Sequence, residues 1–291
     1  MSILQAIILG LVQGLTEFIP ISSTAHLTIA GKVMTSLDPG HPLIDPQHPE
    51  QWTAFIAVIQ LGTLIAVILY FWRDIMAIVA GFTMTNLGLI TRRPVDEAQR
   101  RQAWLGWLII IGTFPIAIVG LLFRHQIEGA LTKNLWVIAA SLIGLALLLT
   151  VAELVGKQRR GMAELRMSDA IVVGVAQSFA LIPGSSRSGS TITGGLFAGL
   201  NRETAARFSF LLSIPAVAAS GLLELPKALR SVEANWLPIV VATIVAGISG
   251  YLTIALLLRY LQHHTTYVFV AYRIALGLLL IVLLVSGRMS P

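Results

Sequence analysis

Two short polar stretches, set in an otherwise apolar chain, carry residue types suited to phosphate chemistry. The first is Gln13 to His26, QGLTEFIPISSTAH. Gln13 and Glu17 are four apart and share one helical face, while Ser23 and His26 are three apart on the helix that follows. If they converge, they make a nucleophile with titratable partners. The second stretch is Pro183 to Thr191, PGSSRSGST. Gly184 lets backbone approach a ligand, Ser185, Ser186 and Ser188 offer hydroxyl donors, a helix N-terminus follows, and Arg187 can grip two phosphate oxygens at once. A charged Arg187 at membrane depth points to a functional cavity rather than to packing. Arg273, inside the last apolar segment, has two readings: a ligand in that cavity, or a buried partner of a carboxylate such as Glu17. The bland alternative has Ser22 and Thr24 as helix caps, Glu17 in water and His26 as a core histidine with its hydrogen bonds made. It explains each residue singly better than it explains the set, and the whole constellation asks for a phosphorylated lipid.

The elements that must position these residues are broken helices. The apolar lead-in Ile3 to Leu15 reaches roughly 20 Å, short of the roughly 30 Å of a bilayer core. Pro20 lacks a backbone donor and biases Ile19 away from helix, so the first helix should stop near Phe18 and a second should begin at Ser22-Ser23-Thr24. Ala170 to Ile182 is a second short apolar piece, broken by Pro183-Gly184.

Composition sets the surroundings. The chain has 291 residues, 56% hydrophobic and 12% charged, with a mean hydropathy of +0.82; that balance excludes a soluble domain and indicates an all-α, polytopic membrane protein forming one membrane domain over 1–291. No charge precedes Ile3 and the first basic residue is Lys32, so the first segment is expected to be retained rather than cleaved as a signal peptide. The absence of cysteine removes thiol catalysis, disulfides and cysteine-ligated metals. The net charge of +6 sits in a few loops and bears on orientation, not on nucleic acid.

Six segments are long enough to span: Trp52–Trp72, with its tryptophans read as interfacial anchors, Ala103–Phe123, Leu135–Val155, Phe208–Leu225, Leu237–Leu258 and Tyr267–Val285. Segment 75–90 reads as a continuation or an interfacial helix, Gln60 as interhelical glue, and Glu153 as a residue at the interface. His41 and His48 lie in the polar loop Ser36–Gln51 and read as solvated. GLVQGLTEFIPISS from Gly10 and GVAQSFALIPGSS from Gly174 match at Gly, Gln, Ile-Pro and Ser-Ser with one residue of slippage, and Pro20 and Pro183 are 163 positions apart. Each half (about 1–156 and about 167–291) therefore reads as a re-entrant hairpin plus three crossings. An odd number of crossings inverts the second copy relative to the first, the architecture of many transporters, with the site where the interrupted segments meet. Arg92, Arg93, Arg100, Arg101, Lys157, Arg159, Arg160, Arg166, Arg202, Arg207 and Arg259 fall on one side, against Lys32, Arg124, Lys133, Lys227, Arg230 and Arg288 on the other. The first side is expected to be cytoplasmic, with both termini outside.

EFIPISSTAH together with PGSSRSGST, with VIQLG at Val58 and AYR at Ala271, resembles the bacterial undecaprenyl-diphosphate phosphatase family of the bacitracin-resistance type, over essentially the whole chain. The resemblance implies a bacterial inner-membrane hydrolase with its site facing the periplasm or outside. It would convert undecaprenyl diphosphate to undecaprenyl phosphate and phosphate, recycling the carrier for peptidoglycan synthesis and cell shape and conferring bacitracin resistance. Its active-site residues would fall on Gln13, Glu17, Ser22, Ser23, Thr24, His26, Ser186 and Arg187, with Arg273 joining them. Many members carry Glu in place of Gln13 and Gly in place of Ala25; a neutral Gln13 can hold a water or a metal through its carbonyl but cannot be a base. A divalent cation, Mg²⁺ or else Ca²⁺, is the expected cofactor, held by Glu17 with Gln13. The partners expected are the lipid substrate and the bilayer, with a homodimer open.

Two rival readings remain at this level. A secondary transporter or flippase of a polyprenyl phosphate lipid would use the same architecture. The other lipid-phosphatase superfamily has a Pro-Ser-Gly-His element, then Ser-Arg with a downstream His; no His follows Arg187 before His263 here.

Overall fold

The computed structural model describes residues 1–37, 43–44, 49–91, 95–123, 134–231 and 236–290, with backbone alone at 49–50, 89–91 and 227–231. His41, His48 and the loop charges Arg92, Arg93, Arg124 and Lys133 lie outside the described residues. All regular elements there are helical. In chain order they are α1 (Ile3–Phe18), α2 (Ser23–Leu37), α3 (Pro49–Tyr70), α4 (Trp72–Thr91), α5 (Glu97–Leu122), α6 (Leu135–Val155), α7 (Met167–Ser178), α8 (Arg187–Phe197), α9 (Arg202–Ser231), α10 (Leu237–His263) and α11 (Tyr267–Val285). The six that are long and apolar enough to cross a membrane are α3, α5, α6, α9, α10 and α11, whereas α1 and α7 are shorter. The protein is a multi-pass membrane protein.

Helix α1 begins in a capping box between Ser2 and Gln5 and ends at Phe18, because Ile19 turns extended (φ −67°, ψ 136°) ahead of Pro20. Its partner α2 starts at Ser23 behind Ser22, a non-glycine residue at φ 77°. In the second half, α7 closes through a 3₁₀ turn at Phe179–Leu181, and α8 starts at Arg187 behind Ser186, at φ 68°. Both chain breaks thus end in a left-handed serine that caps the next helix.

Each broken pair leans on the other half of the chain: α1 lies along α10, and α7 lies along α5, while α3 meets α9 and α6 meets α11. The approach is close where side chains vanish. A methyl group on Gly14 would come 2.6 Å from the Ala246 carbonyl oxygen, and one on Gly174 would come 2.9 Å from Gly112 Cα. In an apolar solvent such contact, rather than water exclusion, holds helices together. Segment 75–90 lies in a full helix, α4, packed against α5.

Several arginines on the basic side are paired. Arg160 grips Asp169 with bonds of 2.6 and 2.7 Å, and that carboxylate raises the guanidinium pKa further above its ordinary value. Arg207 reaches Asp74 at 2.9 Å and lies over Phe71. Arg202 donates through Nε to Glu153 Oε1 at 2.6 Å, and Thr266 donates to Oε2 of the same carboxylate at 2.8 Å. Glu153 is therefore buried among α6, α9 and the start of α11. Trp52 is corrected: it is 4% exposed, stacked on Phe55 and against Gly31, whereas Trp72 is 53% exposed.

Helix contact predicts a clear contrast. Gly14→Val should lower the yield of monodisperse protein and its thermal midpoint in detergent. Gly144→Ala, where an added methyl meets nothing within 4 Å, should leave both unchanged or slightly raised. Equal behaviour of the two variants would rule out the α1–α10 contact as a determinant of folding.

Candidate active site

The site is built around one carboxylate. Glu17, in the last turn of α1, is 7% exposed. Its Oε2 accepts from Gln13 Nε2 at 2.9 Å and from Ser23 Oγ at 2.7 Å. Its Oε1 accepts from Arg187 NH2, which makes a buried ion pair between the two breaks. Four residues from three helices, Gln13 and Glu17 of α1, Ser23 of α2 and Arg187 of α8, thus form one connected group. Ser23 and Arg187 are each the first residue of a helix, so the positive ends of α2 and α8 face the same region.

The remaining serines shape the backbone. Ser22 Oγ accepts from Ala25 N at 3.3 Å, and Ser186 Oγ accepts from Gly189 N at 3.1 Å. Ser188 Oγ lies 3.2 Å from the carbonyl oxygens of both Glu17 and Ile19, which stitches α8 to the first break. Thr24 is half-buried in the first turn of α2. Gly184 and Ser185 turn their carbonyl oxygens toward Arg273 NH2, at 3.1 and 3.2 Å.

Arg273 pairs with backbone rather than with a carboxylate among the described residues. It is 0% exposed, and Glu17 is not its partner. Its Nε donates to Leu142 O at 3.1 Å and its NH1 to Pro20 O at 3.0 Å, while NH2 is also within 3.3 Å of Ser141 O. With the carbonyls of Gly184 and Ser185 added, five backbone oxygens hold its fork, and Arg273 stands behind the Glu17 group.

His26 stands apart from the Glu17 group. A hydrogen bond with Ser23 would be natural for residues three apart on α2, yet Glu17 is the group on Ser23. His26 Nδ1 lies 2.7 Å from Ser22 O and Nε2 lies 2.6 Å from Tyr272 Oη. Tyr272 was not among the sequence candidates, because one tyrosine within an apolar span carries no signal of its own. His26 and Tyr272 also line an apolar cavity of about 580 Å³ bounded by α1, α2 and α11, with Leu4, Ile8, Val12 and Leu276 among its walls.

For a metal, the donors are few. Among the described residues no three His, Asp or Glu side chains gather into a metal cluster. Gln13 Oε1, however, is buried with no hydrogen-bond partner, and it belongs to the side chain bonded to Glu17. Two oxygens suit Mg²⁺ or Ca²⁺ only where a ligand's phosphates and water supply the rest.

Chemically the group can hold an anion between Arg187 and two helix ends, with a serine hydroxyl already donating to a carboxylate. Comparison with known proteins agrees with that chemistry. The profile of the family described as "Bacitracin resistance protein BacA" matches residues 6–279. The "Undecaprenyl-diphosphatase" of Syntrophobacter fumaroxidans is 53% identical over 278 residues, covering 95% of each chain. That of Chlorobaculum tepidum is 49% identical over 301 residues, covering 100% of both. That of Myxococcus xanthus is 49% identical over 296 residues, covering 100% of this chain and 92% of its own. A glutamate, a serine and an arginine joined across two helix breaks, in a chain alike from end to end to these relatives, make this protein a member of the bacitracin resistance protein BacA family.

Proposed function

We propose that the chain is an undecaprenyl-diphosphate phosphatase, which hydrolyses the diphosphate of a membrane carrier lipid to the monophosphate and inorganic phosphate. This recycles the carrier for cell-wall synthesis and underlies bacitracin resistance. The observation that carries the reading is the contact of Ser23 Oγ with Glu17 Oε2 at 2.7 Å beside the Arg187 ion pair. A transporter needs no such hydroxyl–carboxylate pair, and the transporter alternative is not favoured.

The residues divide the work as follows. Arg187 uses the part of its fork not engaged by Glu17 to hold the terminal phosphate, where a low-dielectric setting strengthens the attraction. Ser23, at the N-terminus of α2, attacks the terminal phosphorus while Glu17 takes its proton; the P–O bond to the lipid phosphate breaks, and water later releases inorganic phosphate from the serine. His26 shapes the edge of the apolar cavity with both ring nitrogens engaged, and that cavity supports a path for the first prenyl units between α1, α2 and α11. Gln13, Ser22, Thr24, Ser186 and Ser188 shape this cradle. A divalent cation, Mg²⁺ or Ca²⁺, would be held by Glu17 and Gln13 Oε1; when bound it would shield phosphate charge.

The architecture is read as an inverted-topology repeat with two re-entrant pairs, α1–α2 and α7–α8. Support comes from the crossed contacts of α1 with α10 and of α7 with α5. The left-handed serines Ser22 and Ser186 are 164 positions apart, as are Gln13 and Gln177, so the one-residue slippage at the prolines is taken up within the break. The site is assigned to the outer face of the bacterial inner membrane on the distribution of loop charge.

Three outcomes are expected. Ser23→Ala should lower turnover of undecaprenyl diphosphate by orders of magnitude, against about tenfold for Thr24→Ala. Retention of more than about a tenth of wild-type turnover in Ser23→Ala would make water the nucleophile. Arg187→Lys should lose at least about a hundredfold in kcat/KM, because an ammonium keeps the charge without the planar fork; near-normal kinetics would remove Arg187 from phosphate binding. Orientation can be read in this cysteine-free chain: an impermeant thiol reagent on intact cells should label Gln47→Cys and spare Arg159→Cys, and the reverse would invert the assignment.

A further inference from the structure

His26 is held at both ring nitrogens, and the two partners differ in kind. Nδ1 lies 2.7 Å from the carbonyl oxygen of Ser22. A carbonyl only accepts, so Nδ1 carries the proton. In the neutral ring Nε2 is then the bare nitrogen and needs a donor. The group 2.6 Å from Nε2 is the Tyr272 hydroxyl, and the two rings lie nearly parallel, at 10° with centroids 5.6 Å apart. The residues come from α2 and α11, at the ends of the chain.

Their setting makes the contact consequential. Tyr272 is 44% exposed and His26 half-buried. The cavity beside them is lined almost wholly by apolar side chains, Gln5 being the other polar one. A bare imidazole nitrogen facing such a wall would lack a partner without the tyrosine, and the ring would gain freedom to turn. Ser22, meanwhile, holds its left-handed conformation at the N-cap of α2. The tyrosine therefore completes a chain that runs from the first break, through the imidazole, to the mouth of the cavity.

We propose that Tyr272 is a positioning residue for the phosphatase reaction: its hydroxyl donates to Nε2, fixes His26 in the Nδ1–H tautomer and holds the imidazole at the boundary between the phosphate site and the lipid-facing cavity. The inference rests on the function proposed above, and it assigns the role to a residue outside the Gln13–Glu17–Ser23–Arg187 group. Tyr272 acts through His26 and does not itself touch the reacting atoms.

The test combines a spectrum with a mutant cycle, on full-length protein in lipid nanodiscs. With ¹⁵N-labelled histidine, six residues contribute, and His26→Gln identifies the His26 signals. Wild type should show a protonated Nδ1 and a hydrogen-bonded, unprotonated Nε2; Tyr272→Phe should shift Nε2 and mix the tautomers. With undecaprenyl diphosphate, Tyr272→Phe should lower kcat about tenfold, as expected for one lost hydrogen bond, with KM little changed. On a His26→Ala background, Tyr272→Phe should cost nothing further. Equal losses in both backgrounds, or unchanged kcat and His26 signals in Tyr272→Phe, would overturn the proposal. If wild type fails to release phosphate, the functional reading fails; the NMR arm, which needs no substrate, still decides whether Tyr272 sets the tautomer.

Discussion

A guanidinium with no carboxylate beside it sits where the two chain breaks meet. Breaking a helix inside a membrane frees carbonyl groups that lipid cannot satisfy, at several kilocalories per mole each. Arg273 answers that problem from one point: it donates to Pro20 O in the first break, to Gly184 O and Ser185 O in the second, and to Ser141 O and Leu142 O on α6. Both breaks and α6 are thereby tied to one side chain, and Ser23 and Arg187 begin their helices in front of it.

The electrostatics in front of the junction are balanced differently. Glu17 and Arg187 neutralise one another, and the Ser23 hydroxyl shares the carboxylate. A buried ion pair of this kind is weak evidence for stability, since desolvation offsets most of its attraction. Its value lies in what it stores for a ligand. In the reaction proposed above, the part of the Arg187 fork that Glu17 does not engage would meet the phosphate oxygens, while the other carboxylate oxygen already accepts from Ser23.

Much of this was legible in the chain, and the limits are physical. Pro20 and Pro183 fix where helices must end, and continuous apolar runs locate Leu135–Val155 and Tyr267–Val285 to the residue. Types and spacing also marked Glu17, Ser23, His26 and Arg187. Contacts between distant segments were not readable. Glu153 gave no hint that Arg202 and Thr266 reach it from other helices, and Trp52 looks like an anchor until Gly31 and Phe55 cover it. Arg273 misled for a related reason: a buried arginine suggests a carboxylate, whereas backbone carbonyls left open by two breaks are invisible to residue patterns. Tyr272 stood in the AYR stretch but marked no site of its own, because its contact with His26 comes from a helix at the other end of the chain.

The proposed repeat gives these asymmetries an order. At a spacing of 164 residues, Gln13 faces Gln177, Ser22 faces Ser186, Ser23 faces Arg187, Glu17 faces Leu181 and His26 faces Ser190. Backbone roles are kept: both serines at the caps adopt positive φ, and both glutamines are fully buried. Chemical roles diverge. One copy holds the hydroxyl, the carboxylate and the imidazole, while the other holds the cation at the position where its twin holds the nucleophile. Two inverted helix starts converging on one point favour an anion there by their dipoles alone. In the reaction proposed above, grip by Arg187 and attack by Ser23 then fall to different halves of the chain.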